Sequence, residues 1–291
     1  MPTRAALRKI EGFHLNVHVV DEPLQDYSVL RNLFVDNSPH KLTSERRQLA
    51  FHVAEEQEAI FFLSYEGDPE AEALLYDMGA GTERLTPRRS GEIVATRTHF
   101  AVNLSARVVA FEYNQRGTKR EDFEDLILQL LHHITDRCDV SLVPIPKPSF
   151  LQELREYDRI QSAKVVLVRP NPGWLDADSQ LLKYADKSEA QAISLEARAK
   201  RNRSLSRQEG IVGDLRKVIS QGITTVREAV IWGNKHGSKQ RRETKLSAHT
   251  LSTIVSLERM ADGQPNHQMM KEHVLRYCAW LTENHPTVDE S

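Results

Sequence analysis

The first clear pattern in the chain has a period of two. Phe13, Leu15, Val17 and Val19 alternate with His14, Asn16 and His18, which predicts a strand with an apolar and a polar face. Further strands are predicted at Ala59 to Tyr65, where Glu66-Gly67-Asp68-Pro69 stops the run, at Glu72 to Met78 and at Ile93 to Leu104, with a short helix at Tyr27 to Phe34. Turn residues recur at short intervals and helical periodicity is scarce, so residues 1–105 are expected to form a strand-rich domain on an open antiparallel sheet.

The pattern then changes. Arg107 to Tyr113 predicts an apolar strand and Gln115-Arg116-Gly117 a turn, after which Thr118 and Glu121 have the spacing of a capping box. Phe123, Leu126, Ile127, Leu130, Leu131 and Ile134 follow at the spacing of one helical face. Val140 to Ile145 predicts a strand, Ser149 and Gln152 repeat the capping box before a helix to about Asp158, and Ala163 to Val168 returns as a strand. Residues 106–176 thus read as a β-α-β-α-β segment packed on the first domain.

From Asp178 a long helix is predicted through Leu181, Leu182, Ala185, Ala192, Leu195 and Ala199, interrupted by Gly210 and Gly213. A short helix at Asp214 to Ser220, a strand at Ile223 to Trp232, a loop or hairpin tip at Gly233 to Lys245 and a returning segment at Leu246 to Leu257 come next. Met270, Val274, Tyr277 and Leu281 mark a closing amphipathic helix. Residues 177–291 are expected to form a basic helical and hairpin domain, and the fold class is α+β. The sequence displays no internal repeat and no low-complexity tract.

Composition supports a real core: 291 residues with 40% hydrophobic and 27% charged positions are ordinary for a globular protein. Arg4, Arg8 and Lys9 lead into no apolar stretch, and no window approaches about eighteen apolar residues in a row, so no membrane insertion is expected. Cys138 and Cys278 lack the dense spacing of a disulfide framework, which fits a reducing cytoplasm.

Charge adds the one functional signal. Residues 197–245 hold 13 lysines and arginines against four carboxylates, Glu209, Asp214, Glu228 and Glu243, while the whole chain sums to −2. A polyanion is the natural partner for such a segment. The candidate DNA-binding residues are Arg198, Lys200, Arg201, Arg203 and Arg207 at a helix end, Arg216 and Lys217 on a short helix, and Lys235, Lys239, Arg241, Arg242 and Lys245 at a loop tip. Glycines beside two of these groups would let backbone approach phosphate closely. Charge runs also serve plain solvation, and no zinc-finger spacing, helix-turn-helix or base-stacking aromatic pair accompanies this one. Binding to phosphate with little sequence preference is therefore expected.

Catalytic candidates are thin. His132, His133 and Cys138, with His14 and His18, could be imagined as metal ligands, but His132-His133 at a helix C-terminus is better explained by dipole compensation. Glu112 lacks the second carboxylate and lysine of a metal-dependent nuclease at the usual spacing, and Asp122, Glu124 and Asp125 suit the positive end of a helix. No phosphate-cradling Gly-rich loop, nucleophile elbow or kinase motif occurs, so no enzyme, metal or cofactor is expected.

The order of elements, with the Arg107-Val-Val-Ala-Phe-Glu-Tyr-Asn114 strand, the Gly117 turn, the capped helix, the β-α-β return and the basic C-terminal part, resembles RexA-like phage-exclusion proteins and related bacterial defence proteins over residues 10–260. The resemblance implies a homodimeric DNA-binding protein of antiviral defence, distantly similar in fold to the recombination-associated protein RdgC. It carries no catalytic motif over, and the basic residues transfer only as a charged region. This chain departs in being slightly acidic overall, which favours one localised patch. The leading expectation is a cytoplasmic antiphage component that binds DNA through its C-terminal patch and works with a second defence protein. The alternative is a non-catalytic sensor subunit that recognises a phage or host protein, its patch used for docking between domains or subunits.

Overall fold

A computed structural model describes residues 5–285 apart from 21, 37, 44–46, 69–73, 78–81, 86–91, 170–191, 223, 239 and 261–264. It is built from two sheets in which every pairing is antiparallel, so the α+β class holds. The larger sheet has nine strands. Its centre is β1 (Ala6–Val19), whose first half pairs with β15 (Ser252–Leu257) on one edge and whose second half pairs on that edge with β10 (Cys138–Pro144). Against the other edge lie β9 (Val108–Tyr113) and β2 (Glu22–Pro23). From β9 the sheet continues through β8 (Thr96–Asn103), β5 (Ala59–Gly67), β4 (Gln48–Glu56) and β3 (His40–Thr43). A separate small hairpin joins β6 (Leu74–Asp77) and β7 (Thr82–Leu85), while the rest of the strand expected at Glu72 to Met78 lies outside the described residues.

Helices cover both faces of the large sheet. On one side α1 (Ser28–Val35) and α2 (Arg120–Leu131) bury Phe34, Phe123, Leu126 and Ile127 against Phe13, Leu15, Val17, Phe62, Phe100 and Phe111. Phe123 lies 5.1 Å from Phe62 and 4.7 Å from Phe100 by ring centroids, near-perpendicular to tilted contacts that suit the aromatic quadrupole. α2 starts one residue later than its spacing suggested. The Lys119 N–H donates to Asp122 Oδ2 at 2.6 Å, so the reciprocal carboxylate is Asp122 rather than Glu121, and Asp122 also accepts from Arg47. Ile134 falls beyond the helix and is exposed, because the chain leaves the helical path at His132.

The smaller sheet runs β12-β11-β13-β14, formed by β11 (Tyr157–Val168), β12 (Ala192–Arg198), β13 (Val226–Lys235) and β14 (Arg241–Lys245). α3 (Pro148–Arg155) and α4 (Gly210–Ser220) pack on one of its faces through Phe150, Leu154, Val212, Leu215 and Val218. Each helix leads into a hairpin, and the two central strands, β11 and β13, are the first strands of the two hairpins. The lobe is thus two successive αββ units, a repeat of element order without a repeat of sequence.

The sheets do not divide the chain at 105 and 176. The β-α-β-α-β order is present, but β10 joins the large sheet and β11 founds the small one, while β15 and α5 (His267–Asn284) return to the large lobe. α5 fills the second face of the large sheet with Met270, Val274, Cys278 and Leu281 against Ile10, Val108 and Ala110. The helix expected from Asp178 lies outside the described residues up to 191. From Ala192 the chain is strand instead, because alternate residues Ile193, Leu195 and Ala197 turn toward the small-lobe core. The segment from Leu246 does not pair back on Trp232; that role falls to β14, and β15 pairs β1. Ser149 caps nothing, since Pro148 opens α3 and the Ser149 hydroxyl shares a 3.0 Å hydrogen bond with His249 Nδ1.

The polar face of β1 is buried between the lobes. Asn16 Nδ2 donates to the Thr224 carbonyl at 2.6 Å, and His14 and His18 flank it. Burial pushes the His14 imidazole down to about 3, with His285 adding to the effect. Because the folded value lies below the unfolded one, His14 contributes its full stability above about pH 6.5 and loses it as pH falls toward 3. The stability of wild type relative to His14→Leu should drop by about 2 kcal/mol between pH 7 and pH 5 in urea titrations; a pH-independent difference would contradict this burial. Phe123→Ala should cost about 3–5 kcal/mol by the same method, since it empties the centre of the aromatic cluster.

Candidate nucleic-acid interface

The basic segment folds into the small lobe, and the lobe sorts its cations by what holds them. Lys235 is taken up in structure: its ammonium pairs with Glu153 and, at 3.3 Å, with Glu156, and lies 5.5 Å from the Tyr157 ring. Lys245 pairs with Glu243 at 2.8 Å and Arg198 with Glu196 at 2.7 Å, both on the surface. Lys239 lies outside the described residues.

Arg241 and Arg242 do not project from a loop tip but belong to β14, because β13 continues to Lys235 and the hairpin closes around Gly237. Arg241 donates to Ser162 Oγ at 3.3 Å and sits 5.7 Å from the Trp232 ring, across the sheet face opposite the two helices. Register places Arg198, Ser162, Trp232 and Glu243 on one rung of that face and Glu196, Lys164, Val230 and Lys245 on the next. Two of the cations on these rungs pair with carboxylates there, Arg198 with Glu196 and Lys245 with Glu243.

A second group behaves differently. After β12, Lys200, Arg201 and Arg203 occupy an exposed turn that includes Asn202 at φ 60°, a left-handed residue the short amide tolerates. The loop then runs along the edge of α3. Arg207 reaches back to the carbonyls of Arg155 and Asp158 at 3.3 and 3.4 Å, Arg216 of α4 donates to the Arg207 carbonyl at 3.1 Å, and Arg159 donates to the Arg203 carbonyl at 2.9 Å. Five arginines, 155, 159, 203, 207 and 216, are thereby knit around one loop. Three of the guanidiniums hold neutral carbonyls and, among the described residues, none of the five forms an ion pair with a carboxylate. Lys217 adds an exposed cation in the last turn of α4.

Arg155 and Arg159 were invisible as members because they precede the basic run by forty residues; α3 and β11 bring them in. Gly210 and Gly213 do not interrupt a helix but belong to the first turn of α4. A side chain at 213 would run into the Gln208 carbonyl, so that glycine serves internal packing rather than an approach to phosphate.

The lobes are docked by other cations. Arg227 Nη2 contacts Glu124 Oε2 at 2.6 Å while Leu142 N–H donates to Glu124 Oε1, and Arg169 lies 3.8 Å from Asp139. Burial nevertheless pushes the Glu124 carboxyl above its usual range. Glu112 is buried on β9 and ties three strands, accepting from the His99 N–H and Nδ1 and from Arg8 Nε at 3.3 Å. His132 and His133 are exposed past the end of α2, and no group of three metal-ligating side chains occurs among the described residues. No described helix is long and apolar enough to cross a membrane. No protein-family model matches the chain, and no curated protein matches its sequence.

This sorting separates stability from binding. Lys235→Met removes the ammonium from Glu153 and Glu156, leaving Glu153 its contacts with His249 and Thr244, and should cost about 1 kcal/mol in urea titration. Lys200→Ala in the exposed turn should stay within about 0.5 kcal/mol of wild type; equal losses would contradict the division.

Proposed function

We propose that this protein binds nucleic acid, with DNA the leading form, through phosphate contacts from the arginine-lined loop of the small lobe. One observation carries the proposal: the guanidiniums of Arg159, Arg207 and Arg216 are positioned by backbone carbonyls, so the cluster is preorganised yet keeps its positive charge. An arginine fixed in this way loses less side-chain entropy on meeting a phosphate, and its remaining N–H groups match phosphate oxygens. The described cluster includes no base-stacking aromatic, which supports backbone contact with little sequence selectivity. The antiphage-defence role, a homodimer and a second defence protein come from the RexA-like resemblance and are proposed on that ground alone.

The competing account makes the protein a sensor whose basic patch serves docking. Docking within the chain uses Arg227 and Arg169 instead, which leaves the cluster available for a separate partner.

Fluorescence anisotropy of a labelled duplex of about 40 base pairs tests the proposal. About six phosphate contacts imply an affinity loss of about 10³ between roughly 50 and 200 mM salt. Replacing Lys200, Arg201 and Arg203 together by glutamate should weaken binding to all sequences alike and flatten the salt slope, with the melting temperature nearly unchanged. No binding of wild type at the lower salt would overturn the proposal and favour the sensor account.

A further inference from the structure

We propose that the groove between β15 and α5 captures an extended peptide segment of a partner protein, alternating apolar and acidic residues, by adding it as a strand to the large sheet. This site lies on the large lobe and is independent of the arginine cluster.

The backbone makes the first case. Among the described residues β15 pairs with β1 alone, so the N–H and C=O groups on its outer edge are offered to an incoming strand. Beside that edge runs a groove of about 500 Å³, lined on the strand by Leu251, Ser252, Thr253 and Val255 and on the helix by His273, Arg276, Tyr277 and Trp280. The helix residues follow an i, i+3, i+4, i+7 spacing next to the buried stripe of Met270, Val274, Cys278 and Leu281, so α5 turns one stripe to the core and another to the groove.

The side chains specify the occupant. Trp280 is 41% exposed and stacks on Tyr277 with ring centroids 5.7 Å apart and planes 7° from parallel, a shelf for an apolar side chain. The groove lining holds Arg276 and His273 and no carboxylate, and Arg276 has no ion-pair partner among the described residues. Acidic side chains complement that charge. On the opposite side of the same edge, Ile254 and Leu7 are 70% and 68% exposed, which offers an apolar surface to the alternate residues of an added strand. A second copy paired edge to edge would set its own His273 and Arg276 against these, which like charge disfavours.

The probe is an eight-residue fluorescein-labelled peptide of alternating valine and aspartate, capped at both ends, titrated into the full chain and read by anisotropy. Saturable binding is expected. It should weaken at least tenfold with lysine in place of aspartate, with N-methylation of alternate backbone amides, and in Trp280→Ala. Arg276→Glu, an exposed change that leaves the core untouched, should give the same loss with an unaltered melting curve. Absence of saturable binding overturns the proposal, as does binding indifferent to N-methylation or to the two substitutions. A dimer by light scattering that Ile254→Lys dissociates would assign the edge to a second copy and overturn it equally.

Discussion

β1 is the constraint on which the molecule depends. Its fourteen residues pair with β15 and β10 on one edge and β9 and β2 on the other, and from Gly12 to His18 both of its faces are buried. The Phe13, Leu15 and Val17 face closes the core beneath α1 and α2, while Ile10 meets α5 and Asn16 reaches the small lobe. Side chains alternate along a strand, so a slip of one residue would turn the apolar set toward the seam and Asn16 into hydrocarbon. The register of one strand therefore fixes two cores and the seat of the second lobe together. Burial at the seam pushes the His14 imidazole down and the Glu124 carboxyl up, each toward its neutral form.

The small lobe separates two uses of positive charge. Where a cation meets a carboxylate, as Lys235 meets Glu153 and Glu156, the field cancels and the pair serves the fold. Where a guanidinium meets a carbonyl, the dipole holds the side chain and leaves a full positive charge facing solvent. Sequence counting treats both kinds alike. Only the tertiary arrangement of α3, β11, the 199–209 loop and α4 tells them apart, and it narrows the candidate patch from three groups to the region around Arg203, Arg207 and Arg216.

Local patterns in the sequence were reliable where a single element decides its own shape. Alternation in β1, the apolar face of α2 and the stripe of α5 each imply the element found, because burial on one side is written into the spacing. The misreadings share a cause. Residues 192–198 have helix-forming composition, yet β11 offers them an edge and a core face, and tertiary pairing overrides propensity. The lobe boundary was hidden because β15 and α5 return to the first sheet after a hundred residues elsewhere, which composition does not record. The charge excess was legible and its sorting was not, since Arg155 and Arg159 join the cluster only through the fold, and the two αββ units share topology without sharing sequence.

Hydrogen–deuterium exchange of the full chain, with and without a saturating 40-base-pair duplex at about 50 mM salt, tests the central claim most directly, because it locates the contact without altering the protein. The account predicts slowed exchange in residues 199–217 and 155–160, reversed at about 500 mM salt, with the large sheet unchanged. Protection confined to the large lobe, or none at a duplex concentration that saturates binding, would contradict it.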